Sequence, residues 1–199
     1  MMEELIQKLY SIGAIKLVPS DQRGAPPFQI DLSVVISHPT IGKNMAAALW
    51  EKAQGLCFDL LCGGSPLGSC IAAHLSWNQE KPLVACHKEA KSGIHRTILG
   101  SYKTGQRCLL MQDHLASGNS TLHTIDHLEE EGLEVKDVVA FLDLQLGAKK
   151  KIKGRGYIPH CLITISEVVQ ILYDANKIGG DIYKFTLDYL EEKKESSKR

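Results

Sequence analysis

The sequence predicts an α/β domain built on a largely parallel sheet, and three observations carry that reading. Short apolar runs recur along the chain, among them Leu60-Leu61-Cys62, Leu83-Val84-Ala85-Cys86, Cys108-Leu109-Leu110-Met111 and the β-branched stretch of residues 135–142. Runs this short and this apolar suit strands covered on both faces. Segments with apolar residues at helical spacing alternate with them. No repeat or linker divides the 199 residues, a length that suits one well-buried core.

Each element follows from its own pattern. Leu5, Ile6, Leu9 and Ile12 predict an amphipathic helix, with Gly13 placed to end it. Residues 14–27 hold Asp-Gln-Arg-Gly and Pro-Pro and are expected to be turn-rich and poorly ordered. Phe28-Gln29-Ile30-Asp31-Leu32 alternates as a half-buried strand does. After Pro39, the spacing of Ile41, Met45, Ala48 and Leu49 predicts a helix as far as Gly55. Phe58-Asp59-Leu60-Leu61-Cys62 is the next strand, broken by Gly63-Gly64, and residues 67–77 are helical. Beyond the strand at 83–86 comes the charged string His87-Lys88-Glu89-Ala90-Lys91. Residues 92–102 have no period and two glycines, which predicts a flexible loop.

Leu122, Ile125 and Leu128 predict a helix after the central strand. Residues 147–156 are basic and match no element. Cys161-Leu162-Ile163-Thr164 is a last strand, and Ile165, Val168, Val169, Leu172 and Tyr173 mark a helix with Ser166 near its start. A final helix from Gly180 carries Phe185, Leu187 and Leu190, and the Glu/Lys-rich tail of about 191–199 is expected to fray.

Composition excludes several classes. Lys+Arg and Asp+Glu balance at 23 each, so nothing in the totals points to nucleic acid or an anionic membrane as partner. No apolar run approaches membrane-crossing length, and Met1-Met2-Glu3-Glu4 does not begin like a secretory signal. The six cysteines sit mostly in apolar segments without a Cys-x-x-Cys pair, which predicts reduced core thiols in a cytoplasmic protein.

In parallel sheets, ligands bind outside the carboxyl ends of the strands. Gly63-Gly64-Ser65, the string at 87–91, residues 113–120 and residues 143–147 are therefore expected around one crevice. The central stretch is Gln112-Asp113-His114-Leu115-Ala116-Ser117-Gly118-Asn119-Ser120. It offers one carboxylate, small residues that let backbone amides approach a ligand, and the start of a helix, whose dipole favours an anion such as phosphate. Ser117, Asn119 and Ser120 add side chains able to bond phosphate oxygens. An ordinary capped turn uses the same residue types, and the local sequence leaves the two readings even.

The stretch resembles the phosphoribosyl-diphosphate (PRPP) signature of phosphoribosyltransferases, in which two acidic residues precede a small, hydroxyl-rich phosphate loop. Over nearly the whole chain the order of pieces is similar to orotate phosphoribosyltransferase, and several look closest to the orotate domain of bifunctional UMP synthases. The carrying residues are Leu9 to Lys16, Gln29-Ile30-Asp31-Leu32, Phe58 to Gly63, Lys88-Glu89-Ala90-Lys91, Gln112 to Ser120 and Ser166-Glu167-Val168. The resemblance implies a type I phosphoribosyltransferase fold with a small N-terminal hood. It implies that orotate's ring nitrogen attacks C1 of PRPP and expels pyrophosphate, with Mg²⁺ carried by the diphosphate. It assigns Lys88 and Lys91 to the diphosphate, Asp113 to the ribose, and Ala116, Ser117, Gly118, Asn119 and Ser120 to the 5′-phosphate, with Ala116 also beside orotate. Lys91 and Asp113 are the catalytic candidates; His87, Ser65, Gln112 and the loop histidine His95 are further binding candidates. Lys91 would act from a loop closing over the neighbouring subunit's site, which makes the expected unit a homodimer. The bland reading of the lysine string is a solvated charged surface.

Departures from the family pattern cluster at substrate-facing places. Gln112 stands for the first acid, His87 and Ser33 for arginines, and Leu144 for the arginine that grips orotate within Asp143-Leu144-Gln145-Leu146-Gly147. The family's orotate turn falls on Ser20-Asp21-Gln22-Arg23-Gly24, and its pyrophosphate loop on Gly64-Ser65-Pro66-Leu67-Gly68. A hydrogen bond to a charged group contributes about 1.5–3 kcal/mol, so losing two or three such contacts costs roughly 10²–10⁵ in transition-state binding. Three functions are then open: a divergent orotate-type transferase, an inactive relative that binds a phosphate or nucleotide, and a transferase for another base.

Overall fold

The computed structural model describes residues 2–18, 25–86 and 98–196. The chain opens with α1 (Met2–Ser11), which buries Leu5, Ile6 and Leu9. Gly13 ends it, and the Ala14 amide returns to the Leu9 carbonyl. β1 (Ile15–Leu17) and β2 (Phe28–Ile30) pair antiparallel, with Leu17 opposite Phe28. Residues 15–17 are thus a strand inside the segment expected to be turns, held by a partner that sequence periodicity does not show. Asp31 then caps a 3₁₀ turn, Leu32–Ser37, by accepting from the Ser33 amide.

The remaining elements are α2 (Pro39–Ala53), β3 (Leu60–Gly63), α3 (Pro66–Asn78), β4 (Leu83–Cys86), β5 (Ile98–Leu99), β6 (Arg107–Leu115), α4 (Asn119–Glu130), β7 (Glu134–Asp143), α5 (Ala148–Gly154), β8 (Ile158–Thr164), α6 (Ile165–Asp174) and α7 (Gly180–Ser196). The main sheet runs β5-β4-β3-β6-β7-β8. All its pairs are parallel except β4 with β5. β6 is therefore an inner strand, flanked by β3 and β7.

Strand side chains alternate between two buried layers, as a sheet covered on both faces requires. Leu61, Leu109, Met111, Val139 and Phe141 face the layer shared with residues of α1, α2, α3 and α6. Leu60, Cys62, Leu110, Val138 and Ala140 face the layer with α4 and α5. The α1–β2 hood joins the first layer through Leu5, Ile15, Leu17 and Phe28. Gly63 allows the tight junction of β3 with α3, since a Cβ there would sit 2.2 Å from Ser69 Cα.

Four differences from the sequence reading matter. β6 is longer than its apolar run and carries Gln112, Asp113 and His114 as strand residues. Ile98–Leu99 is a strand, paired with Cys86 and Ala85, where a loop was expected. The lysine-rich segment forms α5, burying only Ala148 and Ile152, too few apolar residues to give a period. Helix α7 continues to Ser196, into the segment expected to fray, and Phe185 on it is 44% exposed while Thr186 is buried. Among the described residues, no helix is long and apolar enough to cross a membrane.

Candidate active site

β3, β6 and β7 run parallel and adjacent, so the segments after them meet at one end of the sheet. Three backbone bonds lock them together: Gly64 N–H to Met111 O (2.9 Å), Leu144 N–H to Leu115 O (2.9 Å) and Ala148 N–H to Ala116 O (3.1 Å). The expected convergence of residues 63–65, 113–120 and 143–147 is therefore present. β4 ends beside them at Cys86. His87, Lys88, Lys91, His95 and Ser20 to Gly24 lie outside the described residues.

Ala116, Ser117 and Gly118 join β6 to α4. Gly118 has φ 81° and is the N-cap, and no side chain caps the helix there. Among the described residues, the amides of Ser117, Gly118, Ser120 and Thr121 have no backbone partner. The Asn119 amide reaches the Ser117 hydroxyl at 3.5 Å. An ordinary capped turn would satisfy these donors with a cap side chain. Here, among the described residues, they have no such cap and sit at the positive end of a helix dipole, an arrangement suited to anions.

Asp113 lies behind this loop and is 7% exposed. Its Oδ1 accepts the His114 amide at 2.7 Å, and His114 Nδ1 lies 3.1 Å from the same oxygen. The ring nitrogen is not aligned for a directed hydrogen bond, so it counts as buried and unsatisfied despite that short distance. Charge attraction is the better description of the contact, because it depends on separation more than on direction. Burial pushes the Asp113 carboxyl up, but His114 and the Ser65 hydroxyl outweigh it and hold the group below its ordinary 3.8. Asp113 in turn raises His114 above 6.5, against the opposing effect of burial. The lowered carboxyl contributes stability above its unfolded pKa and loses it as pH falls through the folded one; the raised imidazole contributes fully below 6.5 and loses it as pH climbs through its folded pKa. The pair is thus strongest between the two ordinary values. Asp113→Asn is expected to bring the His114 pKa, followed by NMR, down to 6.5 or lower; an unmoved titration would refute the pairing.

With this geometry in view, relatives decide the family. The orotate phosphoribosyltransferase of Pyrobaculum aerophilum is 30% identical over 192 residues, covering 94% of this chain and 98% of that protein. That of Chlamydia caviae is 30% identical over 178 residues, covering 86% of each. The chain belongs to the orotate phosphoribosyltransferase family. No protein-family model matches it. It also matches longer proteins, of which it spans under half: 38% of the bifunctional enzyme PyrF/PyrE of Nostoc sp., at 33% identity over 184 residues, and 41% of bovine uridine 5′-monophosphate synthase, at 29% over 197 residues. Among solved structures, Leishmania donovani UMP synthase superposes with a TM-score of 0.85 over 96% of this chain and 42% of that one, at 23% identity. Aeropyrum pernix orotate phosphoribosyltransferase gives 0.70 over 88% and 99%, at 22%. These last two likenesses carry the fold.

The departures from the family pattern are built into the packing. Gln112 is buried, its amide reaches Thr121 Oγ1 at 3.4 Å, and a Cβ on Gly64 would meet its Nε2 at 2.3 Å. The Ser65 hydroxyl caps α3 by accepting from the Gly68 amide at 3.0 Å, and the Asp113 amide reaches it at 3.4 Å. Leu144, where the resemblance expects an arginine, is 6% exposed and belongs to the core layer of Phe141 and Ile165. Asp143 accepts from the Gln145 amide at 2.9 Å and pairs with Lys149 at 3.1 Å, while Gln145 accepts the Ser166 amide at 3.2 Å. This loop is closed on itself.

Two lysines escape the sequence reading. Lys149 neutralises Asp143, and Lys151 donates to Asn119 Oδ1 at the start of α4. Their only sequence signal is a basic run that matches no element.

Proposed function

We propose that this chain binds PRPP and transfers its phosphoribosyl group to orotate, releasing pyrophosphate and forming orotidine 5′-phosphate. The observation that carries the reading is the set of amides around Gly118's turn that have no backbone partner among the described residues, beside the ionised Asp113. Relatives that bear the name orotate phosphoribosyltransferase over most of their length support it. In this scheme the amides of residues 117–121 and the Ser117 and Ser120 hydroxyls hold the 5′-phosphate. Asp113 orients the ribose hydroxyls, and Ala116 sits beside the base. Lys88 and Lys91 meet the charge that develops on the departing diphosphate, usually the largest catalytic contribution.

In this reading a magnesium ion arrives on the substrate's diphosphate, and the ionised Asp113 carboxylate beside the loop is an oxygen donor of the kind that ion accepts. Bound to the diphosphate, the ion would supply neutralisation of the leaving group. The active unit in this reading is a homodimer in which Lys91 serves the partner's site; sedimentation showing only monomer at assay concentration would end that part. The six cysteines are free thiols, which supports a reducing compartment such as the cytoplasm.

Orotate turnover is expected to be slow, roughly 10²–10⁵ below that of a relative that keeps the two or three missing charged contacts. Incubation with PRPP, Mg²⁺ and a panel of bases, following nucleotide and pyrophosphate, tests this. No product from any base sinks the transferase reading. The burial of Leu144 favours a second one, a family member that binds PRPP or a nucleotide without turnover. Calorimetric PRPP binding in a chain that forms no product would establish it.

A further inference from the structure

We propose that Lys151 is a phosphate-binding residue of this site, contributed from α5 to the 5′-phosphate of a phosphoribosyl ligand. This rests on the phosphate-loop reading given under Proposed function. Helix α5 is fastened to the loop by the Ala148–Ala116 backbone bond, and Gly118 approaches so closely that a Cβ would lie 3.3 Å from Ala148 Cα. One turn into α5, Lys151 extends its ammonium to Asn119, the first residue of α4 and 32 residues away in sequence.

A cation is misplaced there in the free protein, because the N-terminal end of a helix already carries positive partial charge. Nearby cations of the same segment are matched to carboxylates: Lys149 to Asp143 and Arg155 to Asp126. The acceptor facing Lys151 is a neutral amide oxygen. Four amides without a backbone partner among the described residues and the Lys151 ammonium therefore lie together at the start of α4, with the Asp113 carboxylate set behind the loop and turned to His114. A phosphate dianion on those amides supplies the missing counter-charge, and Asn119 keeps the flexible lysine stem aimed at it. The ligand class is a sugar 5′-phosphate, shared by PRPP, ribose 5-phosphate and nucleoside monophosphates.

The test is calorimetric titration of the full chain with ribose 5-phosphate and, separately, with inorganic pyrophosphate. Lys151→Ala and Lys151→Gln are expected to weaken ribose 5-phosphate binding by about 10- to 100-fold, the value of one charged hydrogen bond. Lys151→Arg should recover most of that loss, Lys153→Ala on the same helix should behave as wild type, and pyrophosphate binding should not change. Both residues are exposed, and melting curves of each variant confirm that the fold is intact. If the wild type binds ribose 5-phosphate and Lys151→Ala binds it equally well, the role of Lys151 is overturned and the phosphate loop stands. If the wild type itself does not bind it, both fall together.

Discussion

Leu144→Arg is expected to cost about 3–5 kcal/mol of stability and leave orotate turnover no faster, because it puts an unpaired charge into the core. From sequence alone, arginine at 144 looks like a repair. The structure says otherwise. The Leu144 amide is bonded to Leu115 O, and on either side Asp143 and Gln145 are committed to internal partners. The backbone direction at 144 is thereby fixed, and it sends the side chain into the layer of Phe141 and Ile165. A guanidinium in that direction must stay buried or break the loop to escape. For a chain of this length the loss corresponds to a fall of about 6–20 °C in melting temperature. A variant that melts within a degree or two of wild type and turns over orotate faster would show that the loop reopens freely.

Gly63→Ala should be as damaging to the fold through a different cause. The added methyl would lie 2.2 Å from Ser69 Cα and 2.4 Å from Ser69 N, both backbone atoms of α3, so the helix itself has to move. Overpacking that displaces backbone costs about 3 kcal/mol or more. The shift would also carry away Ser65, which caps that helix and meets the Asp113 amide, so ribose 5-phosphate binding should weaken with the melting temperature. Gly154→Ala is the control: it ends α5, and a Cβ there meets nothing within 4 Å. The same methyl at 154 should be neutral or stabilise by up to about 1 kcal/mol. Denaturant melts of the two variants measure the contrast, and equal effects would refute the packing account.

Where burial is signalled by runs of apolar residues, the fold was legible. Leu83–Cys86 and the helix at Pro39–Ala53 stand where their patterns put them. Elements held by distant partners were not. Ile15–Leu17 and Ile98–Leu99 are too short for a period, and α5 spends its surface on lysines. β6 looked shorter than it is because Gln112, Asp113 and His114 are polar, yet each finds a buried contact inside the protein. The loop after Asp113 was legible as chemistry but not as a choice, since small hydroxyl residues serve a cap equally well; what the sequence does not show is that several of its amides find no backbone partner among the described residues. Leu144 as a core residue, and Lys151 beside Asn119, depend on contacts across the sheet end that no local pattern encodes.

Among the described residues, both margins of the main sheet are poor templates for another strand. At one side β5 is two residues long and runs against its neighbour; at the other, β8 carries Pro159, which brings no N–H to that rim. Continuous β-augmentation between copies is thereby discouraged. Mutagenesis aimed at pairing of this chain with itself is therefore better begun on helices and loops than along the margins of the main sheet.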